Sequence, residues 1–424
     1  MTGCRRLGLV LALFLMISAS SEAEAAIPVV VKVLPGANLS LITSLLGGTI
    51  LDTIPGANTI LVKLPSLPLL SPALKLLGVE WLEADHGFFL PLNKPLANLN
   101  VPLGQPNDWY KSQPSFGLIR AGSALQYSTG RYILIADINS RVDVSHPAIA
   151  AHMGAGYDFV TKRSIDQASL NDDQSTAGFL DDDQSTAGFL DDDQSTAGFL
   201  DGNGIRLLSV LSIGGSVDGG AAAHGTFCAG ILAAVAPDAT IMPLRAFDDN
   251  GNTDLFTLAK AIRYAKDHNA QVINMSFGTL NDSKVLREAI DYAKAAGIVL
   301  VASAGNNHTS TLQYPAAYPG VIAVAATDVL DRKASFSNFG SYVFVDAPGD
   351  HIISATPNGK YSIANGTSFS APMVAGMAAL IRSLHYSGPQ TTISTSTINI
   401  DSKNPTYAGK LGYGRVDLLK AVKP

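Results

Sequence analysis

Three side chains that could act together in nucleophilic catalysis lie far apart along the chain. Asp137 follows an apolar run at 132–136 that is typical of a buried strand, while His224 and Ser368 each stand at the start of an apolar helical segment. A serine hydroxyl is a weak nucleophile at neutral pH and needs an adjacent base, such as an imidazole oriented by a carboxylate. Carboxylate, imidazole and hydroxyl occur here in one of the chain orders known for that combination. They are therefore the candidate orienting group, base and nucleophile.

Each residue taken alone has an ordinary structural explanation. An aspartate at a strand end commonly forms a turn, and a serine at a helix start commonly caps the helix. Cys228, one helical turn after His224, is interpreted as a small buried apolar residue rather than a nucleophile. A helix N-terminus also stabilises negative charge that develops beside it, which suits a reacting hydroxyl at Ser368. The combination, not any single motif, predicts a catalytic site.

The segments around these residues predict an α/β unit over 107–424. Helical patterns such as 253–267 and 283–296 separate short apolar runs. The runs are 132–136, 240–244, 272–275, 298–302 and 321–325. Continuous apolar strands separated by helices are typical of a mostly parallel sheet covered on both faces. Ligand sites in such sheets lie at the carboxyl ends of the strands, where Asp137 is expected.

A smaller α+β unit is predicted at 26–91. Its pattern is strand, helix, strand, strand, helix, strand, which is the order of a ferredoxin-like fold. The predicted elements are 27–34, 38–46, 49–54, 59–64, 70–77 and 79–83. Residues 92–106 are rich in Asn, Pro and Leu, and we interpret them as a linker.

Residues 1–25 have the features of an export signal. Two arginines precede an apolar run at 7–17, and Ala23-Glu24-Ala25 has the small residues of a signal peptidase site. The run is too short to span a bilayer of about 30 Å as a helix, so a membrane anchor is the weaker interpretation. The mature protein is expected to be secreted, into the periplasm or the medium.

Composition excludes several other classes of protein. Of the 424 residues, 47% are hydrophobic and 15% are charged, which excludes an intrinsically disordered chain. The net charge is −6, so a basic surface for nucleic acid is not expected. Two cysteines, Cys4 and Cys228, are too few for a disulfide scaffold or a cysteine-based zinc site.

Three nearly identical decapeptides, with the common sequence DDQSTAGFL, interrupt the second unit at 171–200. We interpret them as a recent duplication within an exposed loop, since the entropy of loop closure rises only slowly with length. A flap that contacts substrate or surface and a calcium-binding array are the alternatives. The array has the least support, because the spacing of a known calcium loop is missing.

From about Asn107 onward the sequence resembles the subtilase family of serine peptidases, in particular its secreted thermitase-like branch. Ala304-Gly305-Asn306, after the strand at 298–302, is one of the matching motifs. The others are PND at 106–108, HGTFCAG at 224–230, INMSFG at 273–278 and NGTSFSAPMVAG at 365–376. The resemblance implies a three-layer subtilisin-like fold. It also implies that the first unit is a propeptide, a folding chaperone and inhibitor whose C-terminal tail lies in the active cleft.

The resemblance further implies roles for individual residues. Ser368 would attack the scissile carbonyl, His224 would act as general base, and Asp137 would orient the imidazole. Asn306 would donate a hydrogen bond to the oxyanion. The residues that would bind an extended substrate are Ser276, Phe277, Gly278, Asn250, Gly251, Asn252 and, at the base of the primary specificity pocket, Gln313.

The predicted function is that of a secreted serine endopeptidase that processes its own precursor. It is expected to be a monomer that acts on polypeptides, with its own propeptide as an intramolecular inhibitor. Neither nucleic acid nor, after signal removal, a membrane is an expected partner. The alternative is a catalytically weak or inactive protein of the same fold that binds peptides or acts as a scaffold.

The sequence departs from the family pattern at the first motif. Asp137-Ile138-Asn139 stands where the family usually has Asp-Thr-Gly or Asp-Ser-Gly, with about two extra residues before His146-Pro147. Ile138 lacks the hydroxyl that normally supports the aspartate, and Asn139 adds bulk at the usual glycine position. We expect weakened rather than absent activity, because a serine peptidase without its orienting aspartate keeps residual catalysis.

The calcium sites of the family are expected to be lost. Ala148 stands after His-Pro where the strong site has an aspartate, and the chain at 233–237 leaves no room for the loop that completes this site. Asp108 alone cannot supply the roughly six to eight oxygens that Ca²⁺ takes. Phe344 replaces an aspartate of a weaker site, and Phe227 replaces a histidine as a packing change. We therefore expect no tight calcium at these two positions and no other cofactor, although calcium elsewhere is left open.

Overall fold

The computed structural model describes residues 26–90, 97–100, 106, 108–165, 212–214, 220–386 and 388–424. The predicted export signal and the decapeptide repeats lie outside these residues. The chain divides into two compact units, Met1–His86 and Gly87–Pro424, which we describe separately. Within the described ranges, no helix combines the length and apolar character needed to cross a membrane.

The first unit has the predicted order of elements. They are β1 (Ile27–Val33), α1 (Leu39–Leu46), β2 (Thr49–Ile54), β3 (Thr59–Leu64), α2 (Pro72–Leu76) and β4 (Val79–Ala84). The strands form an antiparallel sheet in the order β2-β3-β1-β4. Asn38 and Ser71 cap α1 and α2 by accepting backbone N–H bonds from Leu41 and Leu74. Apolar side chains of the sheet and both helices form a core of their own.

The second unit contains sixteen described strands. They are β5 (Gly87–Phe89), β6 (Ala97–Asn100), β7 (Leu134–Asn139), β8 (Gly156–Asp158), β9 (Arg163–Ile165), β10 (Ser212–Gly214), β11 (Thr240–Arg245), β12 (Asn252–Asp254), β13 (Val272–Met275), β14 (Val299–Ser303), β15 (Val321–Thr327), β16 (Val345–Pro348), β17 (Ile352–Thr356), β18 (Lys360–Ala364), β19 (Thr397–Ile398) and β20 (Arg415–Val416).

Helices separate many of these strands. They are α3 (Pro114–Leu118), α4 (Ala121–Ala124), α5 (Gly220–Val235), α6 (Leu255–Asp267), α7 (Lys284–Ala295), α8 (Thr367–Ser383), α9 (Pro389–Thr395) and α10 (Leu418–Val422). Short 3₁₀ turns lie at Trp109–Ser112, Ala150–His152, Asp401–Lys403 and Pro405–Tyr407.

Ten strands form the main sheet of the second unit, in the order β19-β20-β16-β15-β14-β13-β7-β11-β8-β9. Neighbours from β20 to β8 are parallel, and the edge strands β19 and β9 are antiparallel to their neighbours. Every residue of β13, β14, β15 and β16 is buried. Burial of whole strands is what helices on both faces of a parallel sheet produce, so the predicted three-layer α/β architecture is confirmed.

Helices α5 and α8 pack against each other inside this unit. Residues 367–381 of α8 and 223–235 of α5 are all buried, which accounts for their lack of a polar face. Gly376 allows the close approach, because a Cβ there would lie 2.5 Å from Val235 Cγ1. By contrast, α6 and α7 pack together as amphipathic helices with exposed polar side chains.

Strand β7 extends further than the predicted 132–136 and ends at Asn139. Its register places Asp137 opposite Asn274 of β13 and Pro243 of β11. Asp137 therefore lies inside the strand rather than after its end. Backbone pairing on both sides continues β7 through these polar residues, which the sequence pattern had placed after the end of the strand.

Part of the predicted linker is a strand. Ala97–Asn100 forms β6, which pairs antiparallel with β18 and β10 in a four-stranded sheet with β17. Leu99 is buried in the core of the second unit. The interpretation of the whole of 92–106 as a linker is wrong for these four residues, because one buried leucine among polar neighbours is too weak a pattern to indicate a strand.

Candidate active site

His224 lies one turn into α5, directly against the carboxyl end of β7. Ser140, the residue after β7, accepts a hydrogen bond from the Gly225 backbone N–H at 3.0 Å and donates one to the Ala221 carbonyl at 2.6 Å. Glycine at 225 permits this contact, since a Cβ there would lie 2.5 Å from the Arg141 carbonyl oxygen. These contacts determine which residue of β7 lies level with the imidazole.

The imidazole contacts Asn139 and not Asp137. Asn139 Oδ1 lies 2.7 Å from His224 Nδ1. Alternation along a strand places Asp137 on the same face as Asn139, one step further from the strand's end. The Asp137 carboxylate instead accepts from Asn139 Nδ2, at 3.3 and 3.5 Å to its two oxygens. The prediction that Asp137 directly orients the imidazole is therefore wrong, because β7 continues for two residues beyond it.

The apparent two-residue insertion before His146-Pro147 was a sequence signal for this arrangement. It disappears when Asn139 is placed at the carboxylate position of the family motif. Asn139-Ser140 then corresponds to the family's Asp-Ser, so the supporting hydroxyl is present on Ser140 and only the carboxylate has become an amide. The prediction that Asn139 adds bulk at the usual glycine position is also wrong, because Asn139 stands at the carboxylate position instead.

Asp137 and His224 are both buried, and burial shifts their pKa values in opposite directions. Desolvation raises the pKa of Asp137 to about 6, against the effect of hydrogen bonds from Asn274 and Asn139. Desolvation lowers the pKa of His224 to about 4, and the neutral amide beside it supplies no charge to counter this. At neutral pH the site thus contains a buried carboxylate and a neutral imidazole.

The variant Asp137→Asn is expected to gain stability relative to the wild type as the pH rises from 4 to 7. The folded-state pKa of Asp137 lies above the unfolded value, so its proton stabilises the fold below about pH 4, and that contribution is lost as the pH reaches 6. The shift corresponds to about 3 kcal/mol. Thermal unfolding of both proteins, each carrying Ser368→Ala to prevent autolysis, measures the difference. A difference that does not change with pH would contradict the expectation.

Ser368 is the second residue of α8, where the helix dipole favours negative charge. Its hydroxyl donates to the Ser276 carbonyl at 3.2 Å, and its own carbonyl accepts from Ser276 Oγ at 2.8 Å. Cys228 Sγ lies 3.5 Å from the same carbonyl and 3.9 Å from His224 Nδ1, so the thiol separates helix α8 from the ring nitrogen that faces Asn139. The other ring nitrogen, Nε2, is buried and has no hydrogen-bond partner within the part of the chain that the structure describes.

Asn306 presents a second unpaired polar atom beside the start of α8. Its Oδ1 accepts from the Thr367 backbone N–H at 2.9 Å and from Thr367 Oγ1 at 2.8 Å. A backbone N–H can only donate, so the amide atom that faces it is the oxygen. The Nδ2 group then points away, and this buried atom has no hydrogen-bond partner among the described residues. A fixed, unpaired donor next to Ser368 is suited to a developing oxyanion.

The predicted substrate-binding residues lie in two groups within the second unit. Gly278 lies against Gln313, since a Cβ at 278 would be 2.7 Å from Gln313 Cγ. Gln313 is buried and accepts from Asn338 Nδ2 at 3.1 Å. Phe277 is fully buried and its ring centroid lies 5.5 Å from that of Phe247, so its side chain is a packing residue.

The second group of predicted substrate-binding residues, 250–252, lies in a turn that Asp248 stabilises. Asp248 Oδ1 accepts from the backbone N–H groups of Asn250 and Asn252 at 3.0 and 2.7 Å. Strand β12 then pairs antiparallel with β5, and Gly251 O accepts from the Leu90 N–H at 2.8 Å. An extended segment of the chain therefore lies along this edge of the second unit.

Sequence reasoning missed several residues that support the site. They are Asn139, Ser140, Asn274 and Thr367. Asn274 donates to Asp137 Oδ1 at 2.8 Å and to Ser276 Oγ at 3.0 Å, which links the buried carboxylate to the serine that contacts Ser368. Asn139, Asn274 and Thr367 lay within motifs already recognised, but the hydrogen bonds they form depend on the contact between strands and helices.

Comparisons with known proteins find relatives in sequence and in fold. A model of the subtilase family matches residues 130–414. Thermitase from Thermoactinomyces vulgaris is 34% identical over 331 residues, which are 75% of this chain and 99% of thermitase. Subtilisin NAT from Bacillus subtilis subsp. natto is 42% identical over 203 residues, which are 45% of this chain and only 52% of that protein.

The solved structures include a match of similar fold. The crystal structure of fervidolysin from Fervidobacterium pennivorans, a keratinolytic enzyme related to subtilisin, has a TM-score of 0.68 and 23% sequence identity to this chain. The match covers 96% of this chain and 62% of that one.

Proposed function

Because this chain belongs to the subtilase family of serine peptidases, we propose that it is an endopeptidase that forms an acyl-enzyme on Ser368. The observation that supports this most directly is a pair of buried polar atoms, His224 Nε2 and Asn306 Nδ2, for which the described ranges contain no hydrogen-bond partner. Leaving a buried donor or acceptor without a partner costs about 1–3 kcal/mol, so each unpaired atom calls for an explanation. A proton acceptor and an oxyanion donor are what acyl transfer at Ser368 requires.

The proposed reaction begins when the Ser368 hydroxyl breaks its hydrogen bond to the Ser276 carbonyl and donates one to His224 Nε2 instead. The oxygen attacks the scissile carbonyl carbon while Nε2 takes the hydroxyl proton. Asn306 Nδ2 and the Ser368 backbone N–H stabilise the resulting oxyanion. The imidazolium returns its proton to the leaving amine as the carbon–nitrogen bond breaks, and water then hydrolyses the acyl-enzyme by the same steps.

An extended polypeptide is the proposed substrate. The pairing of β5 with β12, and of Leu90 with Gly251, supports this because the same edge can accept the backbone of a substrate strand. The segment that occupies the edge follows the first unit in the chain. We therefore propose that the first unit is a propeptide whose tail inhibits the enzyme until the chain cleaves itself.

The localisation, oligomeric state and metal requirement of the enzyme are proposed from its sequence. Residues 1–25 are proposed to direct secretion and to be removed, and the mature enzyme is proposed to act as a monomer. Its described residues contain no group of three or more His, Cys, Asp or Glu side chains arranged to hold a metal ion. We propose that it needs no tightly bound calcium.

Labelling with a fluorophosphonate probe tests the proposed function. The wild type should be labelled on Ser368, and Ser368→Ala should not, while Ser341→Ala, which changes an exposed serine, should be labelled like the wild type. Intact-mass analysis should show a shortened wild-type chain and an uncut Ser368→Ala chain. Labelling and cleavage that both survive in Ser368→Ala would overturn the proposal.

A catalytically silent, peptide-binding protein is the second candidate function. Asn139 favours it, because an amide contacts His224 where the family has a carboxylate. This candidate predicts no probe labelling of the wild type, together with binding of an extended peptide along Gly251 and β12.

A further inference from the structure

We propose that Asp137 is a positioning residue that holds the Asn139 amide in the one orientation that keeps His224 able to accept a proton at Nε2. The inference rests on the proposed function, since it concerns how His224 serves Ser368. It gives the buried carboxylate a role other than direct contact with the imidazole.

The orientation of the Asn139 amide follows from its neighbours. The Ser140 backbone N–H lies 2.9 Å from Asn139 Oδ1, and because that group can only donate, the amide atom facing it is the oxygen. The same oxygen lies 2.7 Å from His224 Nδ1. An amide oxygen can only accept, so Nδ1 carries the proton. A neutral imidazole with its proton on Nδ1 has a free lone pair on Nε2.

The opposite orientation would disable the base. An amide NH₂ facing the ring would donate to Nδ1 and leave the proton on Nε2, where it blocks transfer from the serine. Replacing the aspartate of a serine peptidase triad by asparagine lowers kcat by about 10⁴-fold through this tautomer. An asparagine at this position therefore needs something that prevents the amide from turning over.

Asp137 meets that need. Both of its oxygens face Asn139 Nδ2, at 3.3 and 3.5 Å, and a carboxylate can only accept hydrogen bonds. A reversed amide would place its oxygen against the carboxylate, which is repulsive in a buried site. The carboxylate is itself held by Asn274 Nδ2 at 2.8 Å from the neighbouring strand. Asp137 thus selects the amide orientation together with the Ser140 backbone N–H, although it does not supply the negative charge that normally stabilises the imidazolium.

Four proteins test this in a double-mutant cycle: the wild type, Asp137→Asn, Asn139→Asp, and the double variant that exchanges the two residue types. Asp137→Asn alone should lower the rate of fluorophosphonate labelling and kcat by about 10- to 100-fold with KM unchanged, because an amide at 137 tolerates the reversed orientation. Asn139→Asp alone places two buried carboxylates in contact, which must share a proton. The double variant should have a labelling rate and a kcat at least tenfold higher than those of the wild type. In that variant a carboxylate at residue 139 contacts His224, and the amide at residue 137 can donate to this carboxylate.

The sign of the effect distinguishes positioning from a merely structural role. Asp137→Asn should be harmful when residue 139 is asparagine and beneficial when residue 139 is aspartate. A loss of similar size in both backgrounds would overturn the inference.

Nitrogen-15 NMR of the His224 ring gives a readout that does not require catalytic activity. In the full-length Ser368→Ala protein, with the signal assigned by its absence in His224→Gln, Nδ1 should carry the proton and Nε2 should not. Adding Asp137→Asn should shift population towards the Nε2–H form. A wild-type network with the proton on Nε2 would overturn the inference. A chain that shows the Nδ1–H form but no labelling would support the inference and contradict the proposed function.

Discussion

Replacing His224 with alanine should lower kcat by at least about 10³-fold. In serine peptidases of this family, loss of the histidine costs about 2 × 10⁶ in kcat, whereas loss of the aspartate alone costs about 3 × 10⁴. The members of such a triad act as a unit, so the two losses do not add. If Asn139 contributed no more than an alanine, kcat would already be about 3 × 10⁴-fold lower, and removing His224 would then lower kcat only about 10²-fold further. The larger value is expected because the tautomer is retained.

Steady-state kinetics on a peptide substrate measure this effect. His268→Ala is a matched control, since His268 is exposed and lies at the end of α6. Its kcat should equal that of the wild type. A loss below tenfold in His224→Ala would show that the imidazole is not acting as the base, whatever its contacts.

Replacing Asn306 with alanine should lower kcat by about 10²- to 10³-fold and leave KM nearly unchanged. Among the described residues Asn306 Nδ2 has no hydrogen-bond partner, so we expect its hydrogen bond to form only when charge develops on the substrate oxygen. An interaction made only in the transition state changes kcat and kcat/KM equally. The same steady-state assay measures both quantities.

Two further variants separate the oxyanion donor from a packing role. Asn306→Asp keeps an oxygen that can accept from Thr367 and removes the NH₂ donor, so it should lose at least as much activity as Asn306→Ala. Asn307→Ala changes an exposed neighbour whose described hydrogen bond uses the backbone N–H, and it should behave like the wild type. Full activity in Asn306→Asp would contradict the role of Nδ2.

Most of the architecture could be predicted from local patterns. The strands at 49–54, 59–64 and 272–275 have the predicted bounds, and α7 differs from its predicted range by one residue at each end. Patterns of this kind are strong because buried parallel strands are continuously apolar and helices have caps such as Ser283. Short strands such as β6 lack enough residues to show a period.

The identities of Ser368, His224 and Asn306 as candidates were determined by sequence alone, because each lies in a compact motif whose small residues and helix start are visible locally. Tertiary structure decided which residue of β7 meets the imidazole. Asp137 and Asn139 project from the same face of one strand, so alternation along the chain does not distinguish them. The choice depends on where α5 lies along that strand, and the hydrogen bonds of Ser140 with Gly225 and Ala221 place His224 level with Asn139.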